Sequence, residues 1–261
     1  MDTQHHHLVP YVLHLILGGF GGLVAASLAG HFGWRAADRL PGESRMPQCV
    51  YCLRSLEWNE TFPLFGWLFR KDAAVLPCPC GIRKGLWPQP LIETIGFVFG
   101  FAAMWYSGWA GPTVPLIAGL GLLPAIAVID LYFGVIPDEL NLIVAVAGLA
   151  WAWMARGDVS YPLITAAALL ALGLFLALVY SRLRGREMLG LGDVKFFAAA
   201  GLWLPLQIAP WFLAGSGILG VLFSLAWRHG GGGKELPFAP ALCTALAACV
   251  FYQLMAMPLP L

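Results

Sequence analysis

Eight apolar stretches leave this chain few ways to fold. They lie at residues 8–30, 91–109, 113–130, 139–155, 160–180, 193–208, 210–227 and 237–258, and proline, glycine or charge separates them. A helix needs about 20 apolar residues to cross the hydrocarbon core of a bilayer. Lipid offers the backbone no water, so a spanning segment must be a helix or part of a closed barrel. The runs lack the alternation of barrel strands. The chain is therefore expected to be an all-α polytopic membrane protein with about eight transmembrane helices. Composition excludes the alternatives. Charged residues make up 11% of the 261 and hydrophobic ones 59%, where a soluble domain carries roughly 25% charge and a disordered chain is polar.

The positions of the few charges set a topology. Between the first and second stretches lie Arg35, Arg39, Arg45, Arg54, Arg70, Lys71, Arg83 and Lys84. Arg182, Arg184 and Arg186 lie between the fifth and sixth, with Lys195 just inside the sixth, and Arg228 and Lys234 lie between the seventh and eighth. With eight crossings these loops share one side, and Arg156 alone falls on the other. The positive-inside rule makes the shared side cytoplasmic and puts both termini outside. The first stretch lacks a basic leader region and reads as a retained helix, not a signal peptide. His5, His6 and His7 read as a polar extension with no function. The net charge of +1 gives no electrostatic draw toward nucleic acid, and none is expected as a partner.

Three regions follow: a first helix at 1–30, a water-exposed insert at 31–90, and a membrane core at 91–261. The insert holds Cys49 and Cys52, then Cys78 and Cys80. A cytoplasmic location disfavours disulfides. Two close cysteine pairs instead suggest four thiolates around a tetrahedral Zn²⁺, which would staple a loop domain with little core of its own. The single residue between Cys78 and Cys80 strains that geometry, and four free thiols packed on the helices is the alternative. Trp58, Phe62, Phe65, Trp67 and Phe69 read as a small core with an interfacial anchor. Cys243 and Cys249, in the last stretch, read as small hydrophobes.

Carboxylates at membrane helices are costly, and each is a candidate for function. Asp130 ends the third stretch, Asp138 and Glu139 open the fourth, Asp193 opens the sixth, and Glu93 lies early in the second. The topology brings Asp130 and Asp193 to one face at similar depth. Two carboxylates in one site hold one proton between them, which suits acid–base hydrolysis of a peptide bond. Asp138 follows Ile136-Pro137 and reads as a helix cap. Asp193 also sits at a helix start, whereas Asp130 sits at a helix C-terminus, where the dipole disfavours an anion. Gly190 and Gly192 would let an extended substrate approach the backbone beside Asp193. The role of Glu93 is left open.

In order and spacing these residues resemble the bacterial type IV prepilin peptidases, membrane aspartic proteases of the GxGD type. The resemblance is carried by Arg39-Leu40-Pro41-Gly42-Glu43-Ser44, Cys49 with Cys52, Pro90-Leu91-Ile92-Glu93, Ile129-Asp130, Ile136-Pro137-Asp138, Gly190-Leu191-Gly192-Asp193-Val194-Lys195 and Leu236-Pro237-Phe238-Ala239-Pro240. It implies an inner-membrane enzyme that cuts the basic leader from prepilins or pseudopilins on the cytoplasmic side. It further implies N-methylation of the new terminus with S-adenosylmethionine, though no contacts to that cofactor can be named. By the same resemblance Asp130 and Asp193 are catalytic, and Cys49, Cys52, Cys78 and Cys80 bind zinc; the Cys78–Cys80 pair departs from the family's two-residue spacing. Asp138, Glu139 or Glu187 would attract the basic leader. Other readings are a peptidase without methylation, a transporter using intramembrane carboxylates, and an assembly protein docked through its zinc loop. No internal repeat of the carrier kind is found, and the third reading leaves Asp130 unexplained.

Overall fold

The computed structural model describes residues 5–37, 88–184, 190–229 and 236–256. Among these the chain forms eight helices and no strand: α1 His5–Ala37, α2 Pro88–Ser107, α3 Thr113–Phe133, α4 Asp138–Arg156, α5 Ser160–Arg184, α6 Leu191–Gly201, α7 Ala209–His229 and α8 Ala239–Ala256. Most of the 31–90 insert, with Cys49, Cys52, Cys78 and Cys80, lies outside the described residues. So does Glu187.

Six helices are long and apolar enough to cross a membrane: α1, α3, α4, α5, α7 and α8. The sixth apolar stretch was expected to run over 193–208. Its helix has 11 residues, about 16 Å of rise, or half the hydrocarbon core. The chain then continues through turns to Ala209. The physical reason lies at Trp203. Its indole sits against Gly119 of α3 and Gly148 of α4, where any Cβ would collide with the ring. The indole N–H donates to the Val144 carbonyl at 3.0 Å, and the ring stacks on Trp151 at 5.8 Å between centroids. Seating that ring between two helices ends α6 early.

α3 is the hub. It packs against α1, α2, α4 and α8, while α5 lies on α6 and α7 on α8. The outward faces of α5 and α7 expose Phe175, Leu178, Trp211 and Ile218, as lipid requires. Lipid tails are as apolar as these side chains, so burial alone does not hold the helices together; close packing must. α1 and α2 supply it with facing pairs of glycines four residues apart. Gly22 lies against the Gly96 carbonyl and Gly18 against that of Gly100. At the C-terminal end of α4, Arg156 donates to the Gln253 side chain at 2.6 Å with its guanidinium 4.9 Å from the Trp151 ring centre. That ties the end of α4 to α8.

Close backbone approach makes a clear prediction. A Cβ at position 22 would meet the Gly96 carbonyl and lie 2.8 Å from the Gly100 nitrogen. Gly22→Val should therefore lower stability by roughly 1–3 kcal/mol or more. Gly217 of α7 has open space beside it, and Gly217→Ala should gain about 0.5–1 kcal/mol. Thermal denaturation in detergent, followed by tryptophan fluorescence, should rank the two on opposite sides of the wild type.

Candidate active site

Asp130 occupies the last turn of α3. The helix stops at Gly134, whose φ of +66° is left-handed and whose N–H bonds to the Asp130 carbonyl at 2.8 Å. Glycine pays no Cβ penalty in that conformation, which makes it the natural stop. The Asp130 side chain is 5% exposed, an anion buried at the negative end of its own helix. On sequence alone it has no structural reason to be there. The structure supplies one from 109 residues away: Oδ2 accepts the backbone N–H of Ala239 at 2.8 Å, with a further backbone interaction from Phe238.

The availability of that N–H follows from the start of α8. The first turn of any helix leaves its donors without partners inside the helix. Here Pro240 has no N–H to satisfy, and Ala241 and Leu242 donate to the Phe238 carbonyl at 3.1 and 3.2 Å. Ala239 keeps one orphan donor, fully buried, and Asp130 takes it. The carboxylate caps a helix from another part of the chain, and the positive end of α8 offsets the negative end of α3.

Asp193 is the third residue of α6, after an extended Gly190 at the N-cap position. Its carboxylate reaches back to the Gly190 backbone, the acidic half of a capping box. Asp130 acts on it electrostatically. The two carboxylates expected to meet do share one end of the bundle. Cys243, buried in α8, lies in the field of both; as a small apolar residue in the sequence it carried no sign of this.

Several expectations change. Asp138 does not cap α4. Pro137 holds the cap position, and Asp138 is the first helical residue. Both its oxygens face Nζ of Lys195 at 2.8 Å. The two glycines beside Asp193 differ. A Cβ at Gly192 would lie 3.3 Å from the Ile136 side chain, and one at Gly190 would lie 3.3 Å from Oδ2 of Asp193. Gly192 is half-buried against Ile136, while Gly190 is exposed beside the carboxylate. Glu93, 2% exposed, joins α1 to α2, accepting from Ser27 at 2.7 Å and Gln89 at 3.1 Å. The capping donor at Ala239 was missed; its only signal was Pro240, which removes one first-turn donor and so singles out its neighbour.

A family model described as the type IV leader peptidase family matches residues 116–225, a segment containing both aspartates. The chain is 34% identical over 172 residues to a prepilin leader peptidase/N-methyltransferase of Klebsiella pneumoniae, covering 62% of this chain and 70% of that protein. It is 29% identical over 216 residues to the protein of the same name in Legionella pneumophila, covering 78% of this chain and 71% of that one. Against the type 4 prepilin-like proteins leader peptide-processing enzyme of Escherichia coli, identity is 28% over 208 residues, covering 78% and 75%. No solved structure matches the chain significantly.

The capping role of Asp130 can be tested apart from any catalysis. Asp130→Ala removes both acceptors and should cost about 1 kcal/mol, within the usual range for a lost cap. Asp130→Asn keeps one acceptor oxygen and should lose less. Hydrogen exchange in the first turn of α8 should quicken in the alanine variant, and far less in the asparagine variant.

Proposed function

The chain belongs to the type IV leader peptidase family, and from that premise we propose that it is a membrane aspartic endopeptidase acting on prepilins or pseudopilins. It removes their basic leader at the cytoplasmic face of the bacterial inner membrane. The observation that carries this reading is the meeting of Asp130 and Asp193 at one end of the bundle, each held by a helix N-terminus and each in the field of the other.

Two interacting carboxylates of this kind share one proton. The ionised member takes a proton from a water molecule, whose oxygen attacks the carbonyl carbon of the scissile peptide. The protonated member donates a hydrogen bond to the developing oxyanion. Collapse of the tetrahedral intermediate breaks the C–N bond, and the departing amine leaves with a proton from the pair. No covalent intermediate with the enzyme forms. A prepilin has a basic leader followed by an apolar helix. Such a helix can lie in the bilayer beside the bundle and bring the leader junction to the helix ends where the aspartates sit.

The cytoplasmic assignment rests on the charge map, in which fourteen of the fifteen Lys and Arg fall on one side. α4 keeps Asp138 and the lone Arg156 at its opposite ends, in keeping with that map. N-methylation of the new terminus, with S-adenosylmethionine supplying the methyl group, belongs to the same proposal because several relatives carry both activities in their names. The thiolates of Cys49, Cys52, Cys78 and Cys80 have the donor chemistry for a structural Zn²⁺. A carrier is the weaker reading, since carriers bind near the bilayer midplane and these carboxylates lie at helix ends.

Co-expression with a prepilin tests the dyad. Asp130→Asn and Asp193→Asn should each lower processing on the order of a thousandfold and leave full-length prepilin on a gel. Normal processing in either variant overturns the assignment. Mass spectrometry of the mature N-terminus reads methylation in the same sample, and metal analysis of the purified protein reads zinc.

A further inference from the structure

Lys195 lies in the second turn of α6, two residues beyond Asp193. Its partner is on another helix. Nζ sits 2.8 Å from both oxygens of Asp138, at a favourable position for an anion in the first turn of α4. Both side chains are more than half exposed, and an exposed pair adds little to global stability. Its value is therefore in what it joins.

Asp138 follows Asp130 by eight residues, and Lys195 follows Asp193 by two. The chain between Asp130 and Asp138 is stiff, running through the Gly134 cap to Pro137, whose ring fixes φ. A second contact lies inside the first: Ile136 packs where Gly192 lacks a side chain. The turn after one aspartate is thus fastened to the helix carrying the other by an apolar contact and an ion pair.

We propose that the Asp138–Lys195 ion pair is a strap that positions the two aspartates for the reaction, holding α6 at the start of α4 so that Asp193 faces Asp130. The proposal rests on the peptidase reading above. Both members are positioning residues, and neither touches the scissile bond. The strap also removes Asp138 from the acidic groups that would recruit the basic leader.

The test uses the full chain in detergent and a prepilin with a basic leader, with kcat and KM measured separately for four proteins. Asp138→Asn and Lys195→Met should each lower kcat about ten- to a hundredfold, the scale of a misplacement near 1 Å, with KM unchanged. The exchanged pair, Asp138→Lys with Lys195→Asp, should recover most of the lost kcat. Thermal midpoints of all three should match the wild type. Leader recruitment by Asp138 would instead raise KM in Asp138→Asn, lower it in Lys195→Met, and leave the exchanged pair worst of all. That pattern overturns the strap. So does a single variant with wild-type kcat, an exchanged pair that folds but is no better than the singles, or a loss of kcat matched by a fall in midpoint. A wild type that leaves prepilin intact overturns the peptidase reading and the strap with it; wild-type cleavage with indifferent variants overturns the strap alone.

Discussion

The hydrogen bond from Ala239 to Asp130 settles two debts that neither helix can settle alone. α8 begins inside the bundle with a backbone donor that no water reaches, and a buried donor left unpaired costs about 1–3 kcal/mol. α3 ends with a carboxylate that its own dipole disfavours and that burial strips of water. Brought together, the two become a charge-assisted hydrogen bond at 2.8 Å. Much follows from this contact. It docks the last helix on the hub helix, engages Oδ2 of Asp130, and brings Cys243, also on α8, into the field of the pair.

Close packing sets the remaining positions. The glycine pairs of α1 and α2 bring two backbones to contact distance, and three turns further along α1 Gly33 sits against Leu140 and against Ile129, the neighbour of Asp130. α6 is short because Trp203 must fill the space that Gly119 and Gly148 vacate. A half-length helix is well suited to carrying Asp193: its N-terminus can meet the end of α3 while its C-terminus is anchored by an indole deep in the bundle. The far end of α4 is tied by Arg156 and Gln253, so α4 is held at both ends and can serve as the fixed member to which α6 is fastened.

The sequence made the helical class and most of the helix positions legible because lipid permits so few structures. Asp130 and Asp193 stood out for the same reason: a charge is conspicuous where charge is scarce. What stayed hidden were relations between distant residues. Nothing near Asp130 reveals a partner 109 positions away. Asp138 looked like a cap because Pro137-Asp138 has the local signature of a helix start; the start was right, but Lys195, 57 residues on, claims the side chain. Gly192 packs against Ile136 while Gly190 is exposed, a difference invisible in sequence because an absent side chain looks the same whether the space is open or occupied. The sixth stretch read as a span because hydropathy does not register an indole wedged between neighbouring helices.

Among the described residues the charge of the two aspartates is balanced by backbone and not by a basic side chain. A pair sharing one proton carries one net negative charge. Each helix N-terminus contributes roughly half a positive charge, and two of them, of α6 and α8, point at the pair. The compensation comes from fixed backbone dipoles, which occupy no volume beyond the helices themselves and cannot swing away. A lysine in the same place would favour both carboxylates ionised and leave neither protonated to donate a hydrogen bond to a developing oxyanion. Among the described residues Lys195, two residues from Asp193, is the cation nearest to it in sequence. Its engagement with both oxygens of Asp138 gives that charge a partner of its own on α4.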